Sequence, residues 1–366
     1  MYIATIANKG LEDINREEIE SLGAKFDKQY DFINIFKVKD LDSIVKIALK
    51  TQTSKRVLWV KFFSEPNIDS IIREANQIDY SEIINKKFAV RAHKYDIDID
   101  IMDLYNRLGD VIRRKTNNKV DLTNPDVIFR GYILKDIAIF GYDLIGEQPL
   151  DKRYYRVYYH PAGLAPTIAN SLIRLTKWNG QSLLDPLCGS GTIPIEAALY
   201  LREIPPLYRQ YDKTFAYQLN PDIIDEIEQS IKWDRKAKIL CFDKFVKHMR
   251  GAELNCIHAR VKDIVKVSKI NLEDVDFKLG EKAIDYIITN PPYGIKAADR
   301  EESEKVHEYL FYQAEYILKD NGVLALLSPH KEWVLKYAEK YNFTLKHERE
   351  IYHNKLKVFF FQFLKG

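Results

Sequence analysis

At 366 residues the chain is two to three times the length of a usual domain of about 100–200 residues, so more than one domain is expected. A 46% hydrophobic and 12% aromatic content excludes a long disordered tail, and 56 basic against 53 acidic side chains exclude a uniformly basic coat for nucleic acid while leaving local patches open. Residues 2–7 read as a strand, 12–22 as a helix, 32–38 alternate as a strand, 41–50 read as a helix and 57–63 as a strand, an order that predicts a small ferredoxin-like α+β unit over residues 1–63.

Pro66 and Asn67 punctuate the chain and the pattern restarts in residues 64–150. Helices are expected at 68–76, 81–85 and 101–115, the last ending in Arg113-Arg114-Lys115, and strands at 87–93, 126–134 and 136–144. Residues 151–166 carry three basic side chains, one acidic side chain and four tyrosines without a period, and the stretch 151–178 reads as a linker. In residues 179–366 the pattern becomes alternating β and α, with strands expected at 182–184, 238–242, 255–258, 285–289 and 322–327. Strands 344–351 and 357–364, joined by Tyr352-His353-Asn354-Lys355, close the chain as a hairpin. An open, mostly parallel Rossmann-like sheet is predicted.

Two segments carry chemistry. In Leu183-Leu184-Asp185-Pro186-Leu187-Cys188-Gly189-Ser190-Gly191-Thr192 a strand enters a glycine-rich turn that opens a helix, the kind of crevice in which nucleotides sit. The third glycine of GxGxxG and the GK[ST] of a P-loop are both missing, so a carboxylate at the strand end, suited to a cationic or ribose-bearing ligand, is a better reading than a pyrophosphate grip. In Asp285-Tyr286-Ile287-Ile288-Thr289-Asn290-Pro291-Pro292-Tyr293-Gly294 two prolines stop a strand and remove two backbone donors. The Asn290 amide oxygen and the Pro291 carbonyl are left as acceptors beside the flat ring of Tyr293, a set that suits a planar amino group.

Cys188, Cys241 and Cys256 contain no CxxC pair, so neither a disulfide framework nor a metal site is expected, and Cys188 reads as a small packing residue of the turn. His160, His248, His330 and His353 show no metal spacing and default to structural roles. Glu196 reads as electrostatic support for its helix N-terminus. No apolar run approaches the ~20 residues of a membrane span, so a soluble, cytoplasmic protein is expected.

The pair DPxCGSGT and NPPY resembles the class I S-adenosylmethionine-dependent amino-methyltransferases. Upstream, Phe88-Ala89-Val90-Arg91-Ala92, Lys119-Val120-Asp121-Leu122, Asn124-Pro125-Asp126 and Asp143-Leu144-Ile145-Gly146 resemble a THUMP domain, and Asp151-Lys152-Arg153-Tyr154-Tyr155-Arg156 resembles the link that follows it in THUMP-containing RNA guanine-N2 methyltransferases. The resemblance implies that Asp185, Cys188, Gly189, Ser190, Gly191 and Thr192 hold S-adenosylmethionine, with Asp243 at its ribose, Asp263 at its adenine and Thr167, in Gly163-Leu164-Ala165-Pro166-Thr167, near its methionine end. Read alone, either aspartate is as readily a helix cap or turn former. Asp243 follows Gly191 by 52 residues because of an insertion at 202–231, which the family also tends to carry.

Asn290, Pro291 and Tyr293 are the implied catalytic residues, Asn290 also touching the cofactor, for direct in-line methyl transfer. Arg113, Arg114, Lys115, Lys119, Lys152, Arg153 and Arg156 are the candidate RNA contacts, although each read singly is a solvated charge. The resemblance implies a monomer acting on tRNA, its THUMP-like domain on the single-stranded 3′ end. NPPY in place of DPPY points to a guanosine in the acceptor-stem region, at position 6. The alternatives are a ribosomal RNA guanine-N2 methyltransferase and a non-catalytic RNA-binding module that keeps the cofactor fold; DNA adenine-N6 and protein glutamine methyltransferases also use NPPY but lack the THUMP-like half.

Overall fold

The structure, a computed structural model, describes residues 1–160, 163–294, 297–353 and 356–366. Pro161 and Ala162 of the expected linker, Ile295 and Lys296 after NPPY, and Asn354 and Lys355 of the expected hairpin turn lie outside the described residues.

Two compact units divide the chain. The first comprises Met1–Ala7, Arg16–Leu150 and Arg209–Ile227, and the second Asn8–Asn15, Asp151–Tyr208 and Glu228–Gly366. The chain opens with β1 (Tyr2–Ile6), α1 (Glu12–Ser21), β2 (Lys25–Tyr30), β3 (Ile33–Lys37), α2 (Leu41–Lys50) and β4 (Arg56–Ser64). It continues with α3 (Ile68–Gln77), β5 (Phe88–Lys94), α4 (Ile101–Thr116), β6 (Val127–Ile133) and β7 (Ala138–Asp143). Side chains of Asp40, Asn67 and Asp100 cap α2, α3 and α4 by accepting from the first-turn amides left without helical partners.

All seven strands form one sheet in the order β2-β3-β1-β4-β7-β6-β5. The first four strands have the ferredoxin-like β-α-β-β-α-β order expected, completed by β2, whose lysine-rich sequence (KFDKQY) and exposed edge position hid it in the sequence. Beyond β4 the sheet continues without a break into β7, β6 and β5. At its end Asp143 accepts from Arg56 and Arg130, both at 2.6 Å, and all three side chains are buried.

The second unit begins its regular structure with α5 (Pro166–Leu175), β8 (Leu183–Asp185) and α6 (Thr192–Arg202). The 202–231 insertion contains α7 (Phe215–Leu219) and α8 (Ile223–Gln229), and its residues Arg209–Ile227 belong to the first unit, where the Ala216 amide donates to the Leu144 carbonyl. The rest runs β9 (Ile239–Asp243), α9 (Val246–His258), β10 (Val265–Lys269), α10 (Val275–Leu279), β11 (Ile284–Thr289), α11 (Arg300–Ile317), β12 (Leu318–Ser328), α12 (Lys331–Lys340), β13 (Phe343–His353) and β14 (Leu356–Lys365).

These strands lie in the order β10-β9-β8-β11-β12-β14-β13, parallel except for β14, which is antiparallel to both of its neighbours. Chain order reverses between β8 and β11, so their carboxyl ends flank the topological switch point where open α/β sheets bind ligands. The central strands are continuously apolar because helices cover both faces; Leu184, Phe242, Ile287, Leu324 and Phe361 share one core with Phe311 of α11 and Trp333 of α12.

Two expectations are corrected. Residues 255–258 are the last turn of α9, and the third strand of this sheet is β10, whose alternating Val265-Lys266-Val267-Ser268-Lys269 is that of a polar edge strand. The stretch 151–178, expected as a linker without regular structure, contains α5, and Arg153 and Tyr155 within it are buried. Among the described residues no helix is long and apolar enough to cross a membrane.

Candidate active site

At the carboxyl end of β8 the Gly191 amide donates to the Cys188 carbonyl and the Cys188 amide to that of Phe242, which ties the glycine turn to neighbouring β9. Gly189 (φ +53°) and Gly191 (φ +78°) adopt left-handed backbone that other residues enter only with strain. Asp243, at the end of β9, accepts from the Gly189 amide at 3.0 Å and from the Phe245 amide at 2.8 Å. A carboxylate offers about four lone-pair sites, so these bonds orient it without exhausting it. His248 Nδ1 lies 3.3 Å from the same carboxylate, and the His160 ring meets the His248 ring edge-on, centroids 4.5 Å apart.

The Asp185 carboxyl is buried at the same strand end, where it accepts from the Thr289 hydroxyl at 2.7 Å and the Leu187 amide at 3.1 Å. Burial outweighs those bonds and pushes its pKa up to about 7. A cation placed beside it would favour the ionised form. Ser190 and Thr192 are buried with their hydroxyls 3.3 Å apart, and the Thr167 hydroxyl, at the start of α5, accepts from the Asn8 amide at 2.9 Å.

Across the switch point, Asn290 and Pro291 leave the end of β11. The Tyr293 hydroxyl donates to Asn290 Oδ1 at 2.7 Å, burial holds its phenol above the usual range, and the ring meets His353 edge-on at 6.4 Å. One lone pair of the Asn290 oxygen is thus taken and the other is left. The two predicted motifs stand on the two central, hydrogen-bonded strands of the sheet, β8 and β11.

Comparison with known proteins accords with this geometry. The UPF0020 family model, described as an RMKL-like methyltransferase domain, matches residues 153–358, and the THUMP domain model matches residues 65–143. The tRNA (guanine(6)-N2)-methyltransferase of Methanocaldococcus jannaschii is 34% identical over 365 residues, covering 95% of each chain. This chain belongs to the THUMP-containing UPF0020 methyltransferases. The same organism's tRNA (guanine(10)-N2)-dimethyltransferase is 29% identical over 79% of this chain and 78% of its own. Of solved structures, SMU.472, complexed with SAH, superposes with a TM-score of 0.83 at 21% identity, covering 100% of this chain and 98% of that one, which establishes the shared fold. As a methyltransferase of this family the chain uses S-adenosylmethionine.

Membership sharpens what the structure does with each expected residue. Asp185, Gly189, Ser190, Gly191, Thr192 and Asp243 gather at one end of β8 and β9. Asp263 does not join them. In the register of the parallel pair Asp243 lies opposite Lys269, so Asp263, which precedes β10, sits at the far end of that strand, where Arg202 binds it at 2.9 and 2.5 Å and holds its carboxyl below the usual range. At the end of β10 that lies beside Asp243, the following loop carries Lys269, Ile270, Asn271, Asp274, Phe277 and Lys278, which line a cavity of about 410 Å³. The Ile270 amide there donates to the Asp243 carbonyl.

Arg153 is corrected as an RNA contact: its guanidinium is buried and bound bidentately to Glu196 at 2.9 and 3.0 Å. Glu196 also accepts from Tyr155 and Asn170, so it anchors the stretch before α5 and α5 itself to α6 rather than supporting only its own helix. Cys188 is paired with Cys241 in a disulfide, Cα to Cα 5.5 Å, because the turn and β9 run side by side; residues 53 apart gave no sequence signal of that closeness.

Lys119 and Lys152 are exposed as expected; Arg113 is exposed but pairs with Asp110, with Arg114 beside the Asp110 carbonyl, while Lys115 donates to the Ile78 carbonyl and Arg156 lies half-buried over Tyr159. The sequence missed Asn255. Buried in α9, its amide accepts from the Val157 and Tyr158 amides and donates to the Tyr158 and Ser190 carbonyls, fastening the preceding segment to the glycine turn. Its four-residue surroundings resemble a strand, and only its register on α9 reveals the role.

Proposed function

We propose that this tRNA guanine-N2 methyltransferase methylates guanosine 6, in the acceptor-stem region, by direct in-line transfer to the exocyclic N2. The observation that carries the reading is the placement of the Asn290–Pro291 acceptors and the Asp185–Thr192 turn on adjacent central strands. Position 6 is supported by the relative of that name, which matches along almost the whole chain, whereas the position-10 enzyme matches over less of it.

The site suits the donor: a buried carboxyl raised to about 7 is relieved by a cationic ligand, and Asp243 has acceptor capacity left for hydroxyls. When bound, S-adenosylmethionine supplies a methyl group made electrophilic by its sulfonium. Asn271 and Asp274, in the cavity beside Asp243, would take the adenine end. Guanine N2 is a poor nucleophile because its lone pair is delocalised into the ring. The free lone pair of Asn290 Oδ1 and the Pro291 carbonyl would accept hydrogen bonds from its two N–H groups, which draws the nitrogen toward a tetrahedral form and aims its lone pair; one of these protons then leaves to water once the N–C bond has formed. Tyr293 fixes the Asn290 oxygen through its hydroxyl and offers its ring to the extruded base. In this reading the methyl group passes directly to N2, with no covalent intermediate on the protein.

The remaining parts of the reading are that residues 1–63 and 64–150 act together as the RNA-holding half, that the THUMP domain takes the single-stranded 3′ end, and that the protein works as a cytoplasmic monomer. The support for a monomer is that one chain supplies every assigned residue. Incubation with labelled donor and unmodified tRNA, followed by nucleoside mapping, should give N2-methylguanosine at position 6; label at another position or in ribosomal RNA alone overturns it.

Two variants test the parts. Gly191→Arg places a long side chain at a left-handed position whose Cβ would come 3.1 Å from Ala252, so calorimetry should find cofactor binding lost and activity with it. A non-catalytic binding module would stay biologically active. Joint replacement of Arg113, Arg114 and Lys119 by alanine should weaken tRNA binding and reduce the slope of log K against log salt by about 2–3. An unchanged slope removes these residues from the RNA path.

A further inference from the structure

Behind the NPPY loop lies a chain of hydrogen bonds that the sequence does not announce. Burial lowers the pKa of His307, on α11, to about 4, so the ring is neutral. Its Nδ1 lies 2.7 Å from the Ser303 carbonyl, which can only accept, and the proton is therefore on Nδ1. His307 Nε2 must then accept from the Ser328 hydroxyl at 3.0 Å, and the Ser328 oxygen accepts from the His330 amide at 3.1 Å. The His330 ring stacks on Trp333 with centroids 3.6 Å apart, and its Nε2 lies 2.7 Å from the Tyr293 carbonyl, so Nε2 carries the proton and donates. The next residue, Gly294 (φ +56°), passes so close to α11 that a Cβ would lie 2.7 Å from Ser303 Oγ. The outgoing end of the loop is thus held between the start of α11 and the entry to α12, and Tyr293 in turn holds the Asn290 oxygen.

We propose that His330 is a positioning residue for methyl transfer: by donating to the Tyr293 carbonyl from a ring fixed on Trp333, it sets the loop so that the Tyr293 hydroxyl orients the Asn290 oxygen. The inference rests on the reading of Asn290–Tyr293 as the transfer loop. His330→Phe keeps a ring for Trp333 and removes the donor; His330→Gln keeps an N–H close to the place of Nε2. In steady-state assays of the full chain with tRNA, His330→Phe should lower kcat about tenfold or more, leave both KM values within about twofold, and be largely rescued in His330→Gln.

A normal kcat in the Phe variant, an equal loss in the Gln variant, or a loss confined to KM overturns the proposal. If His330→Phe fails to bind cofactor, Ser328→Ala, which removes only the bonds to the His330 amide and His307, takes its place, with a several-fold fall in kcat expected and a normal kcat overturning the proposal. Asn290→Ala is run in parallel. Full activity there overturns the transfer-loop reading itself, while an inactive Asn290→Ala beside a normal His330→Phe overturns the role of His330 alone.

Discussion

Asn290→Ala is expected to slow single-turnover methyl transfer by about 10²–10³-fold, the loss typical of removing one aligned hydrogen-bonding group from a reacting centre. Cofactor affinity, measured by calorimetry, should stay within about twofold, since in the proposed mechanism the side chain acts on the amino group as it changes geometry rather than on the donor at rest. Thr289 ends β11 with its hydroxyl bound to Asp185, and Pro291 fixes the backbone that follows, so the Asn290 side chain leaves a rigid strand end with its oxygen held by Tyr293. Alanine removes the acceptor and leaves that scaffold in place. Asn290→Asp keeps an acceptor and should be milder; a wild-type rate in the alanine variant would refute the role of the amide oxygen.

The parts of this site that the sequence disclosed are those in which local chemistry forces local structure. Glycines before a helix and prolines after a run of β-formers mark strand ends whatever the tertiary context, and both motifs stand where they were expected. Asp243 was read at a strand end because β9 is buried along its length and its Ile239-Leu240-Cys241-Phe242 run is continuously apolar. Asp263 was misplaced because the next strand outward, β10, is an edge strand: only Val265 is fully buried there, and the tetrad Asn255-Cys256-Ile257-His258, with Cys256 and Ile257 at its centre, imitated a strand more convincingly than the strand itself.

What depended on contacts between distant segments was illegible. Asn255, the Cys188–Cys241 bond and the four histidines default to bland roles in one dimension; folded, His160 and His248 stand beside the glycine turn and His330 and His353 beside Tyr293. Arg153 failed for a related reason, since an arginine among tyrosines reads as an exposed RNA contact unless its partner, 43 residues later, is known to face it.

That partner makes a second large effect predictable. Glu196→Gln should destabilise the protein by about 3–5 kcal/mol, because it strips the counter-charge from a buried guanidinium while leaving the guanidinium in place. For a unit of this size that corresponds to roughly a 10 °C fall in Tm, read by calorimetry or dichroism. Arg153 and Glu196 are both buried, and Tyr155 and Asn170 converge on the same carboxylate, so no solvent is available to screen the orphaned charge. The double variant Arg153→Met, Glu196→Gln removes both charges and retains an amide oxygen for Tyr155, and should recover much of the loss. An RNA-contact role for Arg153 predicts the opposite pattern: little change in Tm, no recovery in the double variant, and a reduced salt slope for tRNA binding when Arg153 alone is replaced. A salt slope that stays at the wild-type value while stability falls assigns Arg153 to the architecture beneath the cofactor turn, and leaves the RNA path to the exposed lysines and arginines.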